Sequence, residues 1–371
     1  MQGYTLTTFP RISMPRPIVA TTNVTAMQSN LAIARSTIPG AKIWAVVKAD
    51  AYGHGLENGL RGFAAADGLS LIEYDRAVRL RDLGWTKPIM MMQGMFDSAD
   101  LDLISQYELQ PVVHNVEQLD MLSKARLNSP IHVHLKINTG MNRLGFLPEQ
   151  TREAYARLQA VPAIGKISLI THFANADKQS VSPDVATQVA AFQQATLDIQ
   201  AEISLSNSPA ILIHPEIKGD WIRPGVMLYG GSPGGVDAAS FGLKAAMTLS
   251  SRVIAVQSIR AGDSVGYGSL FRAERDMRIG IVACGYADGY PRHASTGAPV
   301  LVDGIRAQLL GRVSMDMLNV DLSSVPNAHV GSDVTLWGDD LPIDEVAAAA
   351  GTIGYELMCA ITPRVQRQVR L

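Results

Sequence analysis

Short runs rich in apolar and β-branched residues alternate with amphipathic segments along the first two thirds of the chain, and this alternation limits the available folds more than any other feature. The runs lie at residues 43–47, 69–72, 89–92, 111–113, 131–137, 167–171, 202–205 and 226–229. Between them, apolar residues recur at helical spacing, as with Ala77, Leu80 and Leu83 before Gly84, or Val116, Leu119 and Leu122. About eight strand and helix units within roughly 230 residues match a closed parallel barrel. A doubly wound open sheet is the competing α/β arrangement, but no Gly-x-Gly-x-x-Gly opens a helix after the first strand. The pattern therefore predicts a (β/α)8 barrel of the TIM type.

The pattern changes near residue 247. Segments 247–259, 277–284, 300–302, 305–310, 317–322 and 334–337 read as strands joined by turns, and Asp303-Gly304 is the signal of a tight hairpin. Leu341-Pro342-Ile343-Asp344-Glu345 opens an alanine-rich helix that stops near Gly351. At 371 residues the chain exceeds what one core usually supports. The expected organisation is a barrel over residues 14–245 and a mainly β domain over 246–371, with 1–13 a poorly ordered extension.

Composition narrows the function classes. Apolar residues make up 47% and charged residues 18%, with a net charge of −2, which gives no electrostatic basis for binding nucleic acid or an anionic membrane. No window is long and apolar enough to span a bilayer, and the N-terminus lacks the charged start and apolar core of a secretory signal, so a cytoplasmic location is expected. The two cysteines, Cys284 and Cys359, sit among apolar or small residues without zinc spacing and are expected to be buried structural thiols.

The segment Ala45-Val46-Val47-Lys48-Ala49-Asp50-Ala51-Tyr52-Gly53-His54-Gly55 carries the strongest chemical signal. A lysine at the end of an apolar strand is held firmly, and in partly dry surroundings it can lose its proton and attack a carbonyl. Gly53 and Gly55 let the backbone turn sharply just beyond it. Barrel enzymes place their chemistry after the C-terminal ends of strands, where Lys48, Tyr52, Lys136, Arg143, His172, Ser208 and Arg223 fall. Asn207-Ser208-Pro209 reads as a helix start, and Arg223-Pro224-Gly225-Val226 offers a closely approached backbone, so both suit a phosphate. His132 and His134 share one strand face but have no third ligand at suitable spacing, so they are expected to be structural and no metal is expected.

Together these segments resemble the alanine racemase family, pyridoxal-phosphate enzymes built from an N-terminal barrel and a C-terminal β domain. The likeness runs through 45–55, Leu135-Lys136-Ile137-Asn138-Thr139-Gly140-Met141-Asn142-Arg143-Leu144-Gly145, Thr171-His172-Phe173, Asn207-Ser208, 223–230, Val265-Gly266-Tyr267-Gly268, Gly285-Tyr286-Ala287-Asp288-Gly289 and Gly311-Arg312-Val313-Ser314-Met315-Asp316. The resemblance implies interconversion of L-alanine and D-alanine, supplying D-alanine for peptidoglycan or serving alanine catabolism. It implies that Lys48 carries pyridoxal 5'-phosphate and acts as the base on one face of the substrate, while Tyr267 from the partner of a homodimer acts on the other. Inversion by proton transfer needs removal on one face and return on the opposite one.

The same resemblance assigns the other residues. His172 and Arg223 would support the tyrosine, and Arg223 would face the pyridine nitrogen, where an arginine keeps its own proton and leaves the ring a weaker electron sink. Tyr52, Ser208, Gly225, Val226 and Tyr355 would hold the phosphate. Arg143 and Met315 would contact the substrate carboxylate or the cofactor phenolic oxygen. Lys136, carbamylated in many members, would orient Arg143, and Tyr286 with Tyr355 would narrow the substrate channel. Asn138, Pro209 and Gln366 depart from the common family pattern, at positions of support rather than chemistry. A non-catalytic cofactor carrier would have no evident use for Tyr267, and a decarboxylase of basic amino acids would replace Arg223 by an acid.

Overall fold

The computed structural model describes residues 16–127, 129–178, 180–234 and 237–371. The expected extension over residues 1–13 lies outside the described residues. Eight parallel strands close into a barrel: Lys42–Val46, Gly68–Leu71, Ile89–Met91, Leu109–Val113, Ile131–Lys136, Ile164–Ile170, Ile203–Asn207 and Trp221–Arg223. Closure comes from Lys42 and Ile43 pairing with Trp221 and Ile222. Strands covered by helices outside and filled by side chains inside read as continuous apolar runs, and Gly68–Leu71 and Ile89–Met91 are buried at every position.

One expected strand is misplaced. Residues 226–229 form a 3₁₀ turn, Val226–Tyr229, and the eighth strand is the preceding Trp221–Arg223. Pro224 cannot donate to a ladder and ends that strand. The apolar run beyond it is buried as a turn, and hydrophobicity alone does not separate a short buried strand from a buried turn.

Aromatic and polar side chains fill part of the barrel interior. Trp44 stacks on Trp221 at 4.3 Å, and His134 meets Trp44 edge-on at 5.6 Å. The rings of His132 and His134 lie 4.6 Å apart. His132 Nε2 is 2.8 Å from Ser168 Oγ, and His134 Nε2 is 3.1 Å from Gln110 Oε1. Burial lowers His132 to about 4 and His134 well below the ordinary imidazole value.

The C-terminal β domain is organised by Met247–Ile259, which pairs antiparallel with Val19–Asn23, Met277–Val282 and Asp333–Trp337. The expected hairpin joins Pro299–Val302 to Ile305–Gln308, and Asp303 and Gly304 adopt φ of 48° and 76°, as a tight two-residue turn requires. Val19–Asn23 also pairs in parallel with Gln366–Arg370, so strands from both ends of the chain lie side by side. Cys284 is buried, but Cys359 is exposed, contrary to expectation. Leu357 and Met358 take the buried face of the short helix Gly354–Cys359, and the next residue turns outward.

Candidate active site at the barrel mouth

Strand Lys42–Val46 delivers Lys48 to the end of the barrel where the loops gather. The backbone then adopts an unusual course: Ala49, Asp50 and Ala51 have φ of 53°, Tyr52 has 51°, and Gly53 has 77°. A left-handed conformation costs an L-residue about 1–2 kcal/mol, so this turn persists only where its surroundings over-determine it. Glu73 Oε1 accepts the Ala49 N–H at 2.9 Å, and Asp50 Oδ1 accepts that of Leu56 at 3.0 Å. Arg367 donates to the Gly53 carbonyl. At Gly53 a Cβ would collide with the Met358 carbonyl oxygen, which excludes other residues on two counts. The reversal brings Lys48 and Tyr52 to adjoining parts of one site.

Lys48, Lys136, Arg143, His172 and Arg223 line a common cavity of about 240 Å³. The field there is positive. Arg223, on the eighth strand, is buried and donates to Ser204 O at 2.8 Å, Ser204 Oγ at 2.7 Å, Thr171 O at 2.5 Å and Leu205 O at 3.1 Å. Burial lowers it to about 9, so it remains a cation at neutral pH. His172 Nδ1 lies 3.4 Å from Arg223 Nη2. Arginine only donates, so Nδ1 can only accept from it, and Nε2 faces a second donor, Asn207 Nδ2, at 3.4 Å; a neutral ring can accept from only one of the two. Burial, then the Arg223 charge, holds His172 well below its usual value.

The lysines respond to the same surroundings. Burial and then the charges of Arg223, Arg143 and Lys48 push Lys136 down to about 7. Among the described residues Lys136 has no carboxylate partner. Lys48 is lowered by burial and then by the Arg143 charge, which raises the share of free amine able to attack a carbonyl.

Beside this cavity a second cluster has the character of an anion cradle. Asn207 caps the helix Ser208–Ile213 by accepting the Ala210 N–H at 3.2 Å, and Pro209 occupies a first-turn position where no N–H is needed. Ser208 Oγ accepts from Gly225 N–H at 2.8 Å and Met227 N–H at 3.4 Å. A Cβ on Gly225 would come within 2.7 Å of Tyr52 Oη. The missing side chain is what lets the Tyr52 and Ser208 hydroxyls converge beside the amides opening Val226–Tyr229. Tyr355 approaches Tyr52 at 6.1 Å between ring centroids. An amine lowered by its surroundings, a buried cation and a cradle that any Cβ would fill form a donor set that fits pyridoxal 5'-phosphate.

Three expected site residues stand apart. Tyr267 is 71% exposed at the tip of the hairpin formed by Ser264–Val265 and Phe271–Arg272, Met315 is 52% exposed, and Tyr286 is 36% exposed. None of them lines the cavity around Lys48 within this chain. Tyr286 and Met315 neighbour each other through backbone bonds, with Tyr286 N–H donating to Ser314 O and Ala287 N–H to Met315 O, both at 3.0 Å. Buried Asp288 anchors this region to Arg16 at 2.9 Å and Arg364 at 2.7 Å.

Sequence reading missed the residues that hold the loops. Gln188, fully buried, donates to Thr139 Oγ1 at 3.0 Å and His172 O at 3.2 Å and accepts the Ala174 N–H at 2.8 Å. Asn138, one of the departures from the family pattern, accepts the N–H groups of Gly140 at 3.2 Å and Asn142 at 3.0 Å and so shapes the loop bearing Arg143. A glutamine on an amphipathic helix carries no sequence signal for such a role. The asparagine has one, because Asn shapes turns through its own side chain.

Comparison with known proteins follows the same division of the chain. Residues 22–233 match the family "Alanine racemase, N-terminal domain", and residues 246–369 match "Alanine racemase, C-terminal domain". The alanine racemase of Janthinobacterium sp. is 58% identical over 354 residues, covering 95% of this chain and 99% of that one. The biosynthetic alanine racemase of Pseudomonas aeruginosa has a solved structure that superposes with a TM-score of 0.93 at 44% identity, covering 96% of this chain and 100% of that one. The Bartonella henselae alanine racemase, solved with covalently bound pyridoxal phosphate, superposes with a TM-score of 0.86 at 25% identity, covering 96% and 100% of the two chains.

Proposed function

The chain belongs to the alanine racemase family, and from that premise we propose that it interconverts L-alanine and D-alanine by a two-base proton transfer with Lys48 and Tyr267 as the bases. The observation that carries this reading is the shared cavity of Lys48, Arg223 and His172, with the Tyr52, Ser208 and Gly225 cradle beside it. Pyridoxal 5'-phosphate, when bound, supplies an aldehyde that joins the amino group and an electron sink that acidifies the α-hydrogen.

The chain's own residues supply the rest. Tyr52, Ser208, Gly225, Val226 and Tyr355 hold the phosphate. The Lys48 amine, freed from its proton more readily than a solvated lysine, would hold the cofactor's carbonyl carbon until the substrate's own amino group displaces it, and the released amine would then exchange a proton at one face of the substrate Cα. Arg223 remains protonated, so a pyridine nitrogen held against it would receive a hydrogen-bond donor rather than a proton. Arg143 and Met315 bind the substrate carboxylate side, and His172 with Arg223 supports the phenol of Tyr267. Lys136, about half neutral near pH 7, is suited to add carbon dioxide; the resulting carbamate, with release of a proton, would pair with Arg143.

Tyr267, Tyr286 and Met315 are exposed away from the chain's own cavity, and this supports a homodimer in which each β domain completes the partner's barrel site. Among the described residues no helix is long and apolar enough to cross a membrane. A chiral product assay over a panel of L-amino acids with pyridoxal 5'-phosphate tests reaction and substrate range together. D-alanine is expected as the main product, with racemisation lost in Lys48→Ala. Undiminished turnover by that variant without added amine would contradict the reading.

A further inference from the structure

The turn that carries Lys48 and Tyr52 is closed by a residue with no part in the chemistry above. His54 is buried, and its Nδ1 lies 3.0 Å from Ala51 O and 2.9 Å from Tyr52 O. Both neighbours are carbonyl oxygens, which only accept, so the ring proton resides on Nδ1. Nε2 is buried with no protein partner among the described residues, so a proton placed there would find no acceptor. The ring packs on Tyr229 at 4.8 Å, and Tyr229 in turn stacks on Tyr52 at 4.6 Å and donates to Val46 O at 2.8 Å. The backbone of His54 is fixed as well: its carbonyl accepts from Asn58 Nδ2 at 2.8 Å and Thr22 Oγ1 at 3.3 Å.

The carbonyls within the left-handed turn differ in their support. Those of Ala49, Asp50 and Ala51 accept the N–H groups of Gly53, Gly55 and His54, at 2.9, 2.9 and 3.0 Å. Among the described residues, the Tyr52 carbonyl has the imidazole alone as its hydrogen-bond donor. We propose that His54, held as the Nδ1–H tautomer, is a positioning residue that locks the left-handed turn over residues 49–53 so that Lys48 and Tyr52 address one bound cofactor from its two ends. The proposal rests on the cofactor reading above, and it extends that reading to a residue that touches neither substrate nor cofactor. Loss of the Nδ1 donor leaves the Tyr52 carbonyl buried and unpaired, and the turn relaxes toward ordinary backbone geometry.

Two substitutions separate this role from packing. His54→Phe keeps a ring against Tyr229 but removes the donor, whereas His54→Asn keeps an N–H near the Nδ1 position and removes the ring. Pyridoxal 5'-phosphate affinity is measured by equilibrium dialysis, and attachment to Lys48 by borohydride trapping and peptide mass. His54→Phe is expected to bind the cofactor at least tenfold more weakly and to trap less of it on Lys48, while His54→Asn stays within about threefold of the unaltered protein. A packing role alone would lower thermal stability in both variants without separating their affinities, and that result overturns the proposal, as does His54→Phe binding within threefold of the unaltered chain. Should His54→Phe fail to fold, nitrogen-15 NMR of the unaltered protein decides: a proton on Nδ1 is expected, and one on Nε2 overturns the assignment. If the unaltered protein neither retains the cofactor nor labels Lys48, the cofactor reading fails, and the tautomer measurement still judges the clamp.

Discussion

At the scale of single residues, Gly225 shows how an absent side chain shapes a site. Any Cβ there meets the Tyr52 hydroxyl at 2.7 Å, and Tyr52 is held by its stack on Tyr229 and has little room to retreat. Gly225→Ala should therefore fold normally yet bind pyridoxal 5'-phosphate about tenfold more weakly, because one phosphate donor is displaced. Equilibrium dialysis checks this, and unchanged affinity would show that the cradle does not hold the phosphate. Much at this scale was legible in sequence: Lys48 ends an apolar strand, and Arg223-Pro224-Gly225-Val226 offers a closely approached backbone. His54 and Gln188 were not, because their partners are groups in loops and turns that only the folded chain brings together. The left-handed course of Ala49 to Tyr52 was equally hidden, since none of those residues prefers it.

At the scale of elements, seven of the eight barrel strands were legible as apolar runs. The eighth was displaced onto a buried turn because burial, rather than strand geometry, makes a run apolar. The interior also holds imidazoles that predict how the fold responds to acid. His132 and His54 titrate near 4, and His134 lies well below its ordinary value, in each case chiefly through burial. In the unfolded chain a histidine titrates near 6.5. Between about pH 6.5 and 4 the unfolded state therefore binds more protons, so stability falls as pH drops through this window, by up to about 1.4 kcal/mol per pH unit for each such group. His134→Gln removes one of these groups. Its urea midpoint should fall less between pH 7 and pH 5 than that of the unaltered protein, and an equal fall would mean that His134 is not buried as a neutral ring.

At the scale of the whole molecule, we place the division between barrel and β domain near residue 245, across a fold whose two parts are bound together. Val19–Asn23 lies between Met247–Ile259 and Gln366–Arg370, a pairing invisible in sequence because its partners are hundreds of residues away. Those same strands reach the turn that carries Lys48, Thr22 bonding to the His54 carbonyl and Arg367 to that of Gly53. The sheet thus supports its own chain's Lys48 while its outer loops carry Tyr267, Tyr286 and Met315 away from that site. This separation leads to the central claim, that each active site takes Lys48 from one chain and Tyr267 from its partner. Its most direct test is to mix Lys48→Ala and Tyr267→Ala chains, each inactive alone, under conditions where subunit exchange is shown to occur. A shared site gives every mixed dimer one intact centre and one doubly altered centre, so racemisation should recover to about one quarter of the unaltered level. No recovery despite demonstrated exchange would mean that both bases of each site come from a single chain.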